Sequence, residues 1–363
     1  MGVVIEGGRI PPRWAERNSS QPVVSVDGYT AKPLKVGFVN NMPDPALEDT
    51  EMQFFELLDE ASGRTSVHIK LYSLPGIPRG ERGQAYLRSF YFDFDDLWNG
   101  DFDAIIVTGT EPRSSNLREE PYWPVLADLL DWAERNTSSA ILSCLAAHAS
   151  VLHSDGISRH RLDDKRFGVF GFDKAADHMM TENTGDLINF PHSRWNEVRE
   201  DALTACGYVV LTKSSEAGVD SFVKRKKNSL FVHFQGHPEY SAHTLLKEYR
   251  RDIKRFLRHE RETYPTMPQG YFDPSATRLL TEFQQTALSN PHEEVMADFP
   301  DSAIVSTVRN GWHASAVSLY SNWLQYVRSR NADSAAFMAS LTSQDQQQRK
   351  RSAAKQGLPS TIP

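Results

Sequence analysis

Ser139-Ala140-Ile141-Leu142-Ser143-Cys144-Leu145-Ala146-Ala147-His148 changes character at one residue. Residues 139–143 are a short apolar run of the kind that fills a strand buried on both faces, and Cys144 stands at its end. Two other runs carry the same signature: Leu34-Lys35-Val36-Gly37-Phe38-Val39, and Asp103-Ala104-Ile105-Ile106-Val107, which is closed by Thr108-Gly109-Thr110. Helical spacing lies between them: Phe54, Leu57 and Leu58 within 47–60, then 87–98, then 121–134 with Pro121 near its start. Residues 66–74 alternate as a strand does, with Val67, Ile69 and Leu71 on one side. Strands alternating with helices predict an α/β fold, a mostly parallel sheet with helices on both faces. Such sheets hold ligands beyond the carboxyl ends of their strands, which places Cys144 and the Thr108-Gly109 turn at one edge.

Downstream, residues 167–172, 208–212, 219–223 and 230–234 read as strands. A long helix is expected over 242–261, where Leu245, Leu246, Tyr249, Ile253, Phe256 and Leu257 form an apolar stripe. Residues 275–304 are mixed and polar and read as a variable insertion, and 319–327 as an amphipathic segment. Residues 1–33, rich in Pro, Arg, Ser and Gln, are expected to be a flexible arm, 34–330 a single domain, and 331–363 a disordered tail.

The bulk properties exclude several classes. The 363 residues carry a formal net charge of −7, which argues against a nucleic-acid binder, since those bear a basic excess. An anionic substrate would have to be met by local positive groups. Two widely separated cysteines, Cys144 and Cys206, do not make a disulfide framework. No run approaches the ~20 apolar residues that span a bilayer, and the N-terminus lacks the apolar core of a signal peptide. A cytoplasmic protein is expected, with no membrane partner and no metal.

A lone cysteine is ordinarily a buried structural residue, and Cys206, in Ala205-Cys206-Gly207, fits that reading. Cys144 differs by its place. A sharp strand-to-helix turn presents the sulfur to solvent, and the following amides favour thiolate and can donate to an oxyanion. A nucleophilic thiol needs a base, and the base an orienting carboxylate. Phe234-Gln235-Gly236-His237-Pro238-Glu239-Tyr240 leaves a strand and carries both, His237 and Glu239 flanking a rigid proline. Glu248 and Arg251 lie three apart on the long helix and share a face, where an exposed salt bridge is the commoner fate of such a pair.

Several blocks together resemble the homoserine O-succinyltransferases and their acetyl-transferring relatives. They are Asn41-Met42-Pro43 with Thr50-Glu51-Met52-Gln53, Thr108-Gly109 with Pro121-Tyr122-Trp123, and Lys165-Arg166-Phe167-Gly168-Val169-Phe170. Pro191-His192-Ser193-Arg194, Gly236 through Tyr240, Glu248-Tyr249-Arg250-Arg251-Asp252 and Asn322-Trp323-Leu324 complete the pattern, over roughly residues 34 to 328. The resemblance implies a class I glutamine amidotransferase-like fold, with a flavodoxin-like core and extra C-terminal elements. It implies an acyl-CoA-dependent O-acyltransferase that forms O-succinylhomoserine for methionine biosynthesis. Cys144 would carry the acyl group, His237 would be the base, and Glu239 its orienter. Lys165 and Ser193 match substrate-binding positions, and Glu248 and Arg251 positions that hold the amino acid. The small-molecule partners are then homoserine and acyl-CoA, with succinyl-CoA as a co-substrate rather than a tightly bound cofactor, and a homodimer is the expected assembly.

Two departures bear on substrates. The family's Trp-Gly-Ala-Gln after the nucleophile is Leu145-Ala146-Ala147-His148, where His148 reads best as a satisfied helix histidine. Family members differ near Arg113 in a way linked to acyl choice, and an arginine there matches a succinyl carboxylate, or else turns to solvent or to Glu119. Amides near Leu145 and in the Thr108–Thr110 loop are the expected oxyanion donors. The competing readings are a homoserine O-acetyltransferase or other hydroxy-amino-acid acyltransferase, a glutaminase-type amidotransferase, and a non-catalytic binder. The glutaminase elbow wants glycines where Leu142 and Ala146 stand.

Overall fold

The computed structural model describes residues 2–19 and 32–332. Five strands, β1 (Val3–Ile5), β2 (Leu34–Val39), β3 (Val67–Tyr72), β4 (Ala104–Val107) and β5 (Ser139–Ser143), lie parallel in the order β1-β3-β2-β4-β5. After β5 the chain builds a separate antiparallel ribbon from β6 (His160–Lys174) and β7 (Leu187–Glu197). Beyond β8 (Val209–Val210), the short β9 (Thr212–Ser214) and β10 (Gly218–Val219) extend that ribbon into a four-stranded sheet. β11 (Ser221–Lys226) and β12 (Ser229–Phe234) return to the main sheet. β12 adds parallel to β5, and β11 and β8 finish the edge antiparallel, giving eight strands. The expected α/β class, with a mostly parallel sheet, is what forms.

Alternating residues divide the two faces of that sheet. Val36, Phe38, Ile106, Ile141, Val232 and Phe234 face one core, closed by α1 (Pro12–Ser19), α2 (Asp44–Ser62) and a helix over 313–332. Val39, Ile105, Val107, Ala140, Leu142 and Phe231 face the other, closed by α4 (Trp123–Asn136) and α5 (Leu145–Asp155), while α3 (Glu81–Phe90) packs Tyr86, Leu87 and Phe90 on the first core. Each such side chain, fully buried, contributes about 1.5–3 kcal/mol, which is why runs without a polar residue become central strands. Pro124 sits in the first turn of α4, where its missing N–H costs nothing, and Gly156 ends α5 in the left-handed conformation. α6 (Glu200–Ala205) is a short connection ahead of β8.

Four expectations are corrected. The flexible arm over 1–33 is ordered at 3–19: β1 pairs with β3, and Trp14 of α1 packs edge-on against Phe55 at 5.4 Å between centroids. Residues 20–31 lie outside the described residues, as does the tail from 333 on. The helix expected over 87–98 runs Glu81–Phe90, followed by a short 3-10 turn, Phe94–Leu97. The helix expected over 242–261 is α7 (Thr244–Leu257). The polar 275–304 stretch is helical: α8 (Pro274–Ser289), opened by Asp273 accepting from the Ala276 amide at 2.7 Å, and α9 (Asp301–Val305). Leu280, Phe283, Val295, Phe299 and Ile304 from this region pack with Leu246, Tyr249 and Ile253 of α7, so the insertion braces that helix.

Candidate active site

Cys144 joins β5 to α5 with φ 54° and ψ −112°, a backbone setting that a side chain adopts only when its surroundings force it, at a cost of about 1–3 kcal/mol. Its amide is pinned to the Phe234 carbonyl of β12 at 2.8 Å, and Ala147 N–H closes back on its carbonyl at 3.0 Å. The first amides of α5 have no intrahelical acceptor and collect beside the sulfur. Gly109, at the end of β4, lies against this corner so closely that a Cβ there would stand 2.9 Å from the Leu145 nitrogen. The expected oxyanion elements, Leu145 and the Thr110 loop, therefore meet at the thiol, and both line its cleft.

The strand next to β5 delivers the base. As β12 ends, Gln235 N–H donates to the Asp220 carbonyl at 2.9 Å, Gly236 N–H to Asp220 Oδ1 at 2.8 Å, and His237 N–H to the Pro191 carbonyl at 2.8 Å. A Cβ on Gly236 would lie 2.6 Å from His192 Nε2, so only glycine fits. His237 Nδ1 meets Glu239 Oε1 at 2.8 Å, and the ring lines the same cleft as Cys144. Tyr240 stacks on the imidazole at 4.2 Å. Burial, with 6 % of His237 and 7 % of Glu239 exposed, pulls the imidazole pKa down. The charges on Glu239 and then Cys144 outweigh it and hold that pKa well above its usual value. Cys144 and His237 thus line one cleft, and Glu239 backs the imidazole.

A second group comes from the ribbon and α7. The β6–β7 register pairs Phe167 with Ser193, which sets Lys165 and Ser193 near each other beside the register shift between Arg161 and Arg166. Glu248 accepts from Tyr240 Oη at 2.7 Å and from Ser193 Oγ, and stands 3.7 Å from Lys165 Nζ. Lys165 Nζ is 3.4 Å from Asp252, and Arg251 Nε donates to the same carboxylate at 3.0 Å. Burial acts to raise the Asp252 pKa, but Lys165 and Arg251 hold it below the usual range, so it is ionised. Arg251 and Glu248 approach only to 4.0 Å, so Arg251 leans on Asp252 first.

These groups open on one cleft of about 1110 Å³, in which arginine and lysine outnumber carboxylates although the chain is acidic. Arg113 lines it as an exposed side chain; its amide, like that of Ser114, is held by Glu120 Oε1, and Glu119 is engaged instead by Ser114 and Asn116. His148 is satisfied, as expected: Gln235 Oε1 already accepts from Val198 N–H, so the 2.9 Å contact makes His148 Nε2 a donor. Burial takes its pKa to about 3 and keeps it neutral.

A sequence model of the family described as homoserine O-succinyltransferase matches residues 26–334. The chain belongs to that family. A homoserine O-succinyltransferase of Rhodopseudomonas palustris is 44% identical over 294 residues, 81% of this chain and 88% of that one. Another, from Bradyrhizobium japonicum, is 40% identical over 324 residues, 89% of this chain and 96% of the relative. Among solved structures, a glutamine amido transferase from Methylobacillus flagellatus overlaps with a TM-score of 0.46 at 14% identity, over 82% of this chain and 96% of that one. As a member of the homoserine O-succinyltransferase family, the protein is an acyltransferase. Among the described residues, no helix is long and apolar enough to cross a membrane.

Within that family frame, the site contains residues that motif reading did not assign. Asp252 sits four after Glu248, so helical spacing alone signals it on the same face. Tyr240 was visible only as the residue after the His-Pro-Glu turn. Arg159, which precedes β6 and lines the cleft, lies in no motif at all.

Proposed function

We propose that the protein transfers a succinyl group from succinyl-CoA to the hydroxyl of homoserine through a thioester on Cys144, a step of methionine biosynthesis. The observation that carries this reading is a thiol at a strained strand-to-helix corner and a carboxylate-bonded imidazole lining one cleft whose wall carries Glu248, Asp252, Lys165 and Arg251. Cys144 thiolate attacks the thioester carbonyl, and amides at Leu145 and in the Thr110 loop receive the oxyanion. The intermediate collapses with loss of the CoA thiolate, which takes a proton from the His237 imidazolium. The wall then holds the acceptor, its ammonium against Glu248 and Asp252 and its carboxylate against Arg251 and Lys165. Neutral His237 removes the hydroxyl proton, the oxygen attacks the acyl thioester, and Cys144 leaves as thiolate. Arg113, exposed at the same cleft, adds positive charge along the path of an anionic donor.

Mixing the enzyme with succinyl-CoA and no acceptor tests the acyl-enzyme. One succinyl mass is expected on the peptide that holds Cys144, and it should vanish when homoserine is added. A label on Cys206, or none at all, refutes the reading.

A further inference from the structure

Arg159 leaves the turn after α5 and reaches over the cleft that holds Cys144. Its Nη2 donates to two carbonyls of the opposite loop, Ser115 at 3.2 Å and Ser114 at 3.4 Å. The side chain is half-buried, yet among the described residues no carboxylate lies within ion-pair distance of it. Glu120 is committed to the Arg113 and Ser114 amides. Burial lowers the guanidinium pKa, and Tyr122, then Cys144, then Glu120 pull it back. The other cations of this wall differ. Lys165 and Arg251 have Asp252, Arg194 has Glu197, and Arg161 lies over the Trp195 ring.

A permanently charged fork that is partly withdrawn from water needs an anion to match it. Its carbonyl contacts occupy one nitrogen, and the other N–H groups of this cleft-lining side chain have no hydrogen-bond partner among the described residues. We propose that Arg159 selects the acyl group, its guanidinium holding the free carboxylate of a dicarboxylic acyl chain while the other end of that chain is carried on Cys144. The inference rests on the acyl-CoA reading above. It gives the exposed Arg113 a secondary part, because an anchored, half-buried cation discriminates charge better than a solvated one. A phosphate of the donor is the other anion that could sit there; the acyl end is favoured because the loop that Arg159 grips runs on from Gly109, which abuts the Leu145 amide beside Cys144.

The test compares succinyl-CoA with butyryl-CoA, which has the same carrier and nearly the same acyl length but no carboxylate. Arg159→Ala is expected to lower kcat/KM for succinyl-CoA by about 10- to 100-fold, the range of a lost charge-assisted hydrogen bond, and to leave butyryl-CoA within about threefold. Arg159→Lys keeps charge without the fork. It should fall between wild type and Arg159→Ala on succinyl-CoA alone, and it serves if the alanine variant does not fold. Equal losses on both donors would mean that Arg159 binds the carrier's phosphates or only ties down the 114–115 loop, and would overturn the proposal. So would a wild-type enzyme that prefers butyryl-CoA. If wild-type enzyme releases no thiol from either donor, the acyl-CoA reading itself fails and this inference falls with it.

Discussion

Glu239→Gln separates the two things a carboxylate does for a catalytic imidazole. Glutamine keeps an oxygen that accepts from His237 Nδ1–H, so the ring can stay oriented, but it removes the charge. Contact is 2.8 Å and both groups are buried, so solvent screens the pair weakly. With charge centres about 4 Å apart and an effective dielectric of about 20, the pair is worth roughly 4 kcal/mol. That sets an upper bound near 10³-fold on the rate, if the whole interaction is felt when His237 becomes imidazolium in the transition state. The sign of the pH effect is also fixed. Burial pulls the His237 pKa down and Glu239 is the largest contribution opposing it, so neutralising Glu239 must lower it. Deacylation needs the neutral base, and its acid limb should therefore move to lower pH while the plateau rate falls by 10- to 1000-fold. The assay loads Cys144 with the acyl group, adds homoserine, and follows loss of label from the Cys144 peptide across pH. Glu239→Ala should lose more than Glu239→Gln, and His237→Ala more than either. An acid limb that stays put or moves upward, or near-native plateaus in all three variants, refutes the triad.

Two further outcomes concern the scaffold. Trp14→Ala, which empties a site where 2 % of the side chain is exposed, should cost about 3–5 kcal/mol and lower the urea midpoint; an unchanged midpoint would return 3–19 to the status of a loose arm. Burial lowers the pKa of His148 to about 3, of His192 to about 4 and of His233 to about 3, so between pH 6.5 and 4.5 the unfolded chain binds protons that these folded histidines refuse. Burial of Glu51, raised to about 7, works in the opposite sense over the same range and cancels one of them. Stability should then drop as pH falls through this window by about 3 kcal/mol per unit, and urea titrations that give a flat profile would contradict it.

What the sequence made legible is what local pattern encodes. The central strands announce themselves because both faces are buried, so Ala104–Val107 and Ser139–Ser143 contain no polar interruption worth misreading. Cys144 and His237 stand immediately beyond such strands, and Glu239 is tied to His237 by a turn. β1 was lost because three residues carry no period, and its place is set by a partner, Val67–Tyr72, far along the chain. β7 was lost because Pro191, His192 and Arg194 look unlike a strand; their polar groups are matched only after folding, as when Arg194 meets the Asn196 and Ala217 carbonyls. Arg159 was lost for the same reason, since the carbonyls that aim it lie 44 and 45 residues earlier.

The arrangement also explains why a fold with two sheets suits the proposed chemistry. A double-displacement reaction needs one atom that two different substrates can reach in turn. The parallel sheet supplies that atom rigidly: β5 and β12 are register partners, with Phe234 opposite Ser143, so thiol and imidazole emerge side by side from adjacent strands. The antiparallel ribbon and α7 are built separately and bring a wall of paired charges that fits a zwitterion. Glu248 links the two parts, because Tyr240, which stacks on His237, donates to the same carboxylate that Ser193 and Lys165 approach. On the proposed reading, filling that wall would act on the ring that takes the acceptor's proton. On the proposed reading, selection of the acyl group falls to the loops at the ends of β4 and α5, where Arg113 and Arg159 reside, apart from the wall built by the ribbon and α7.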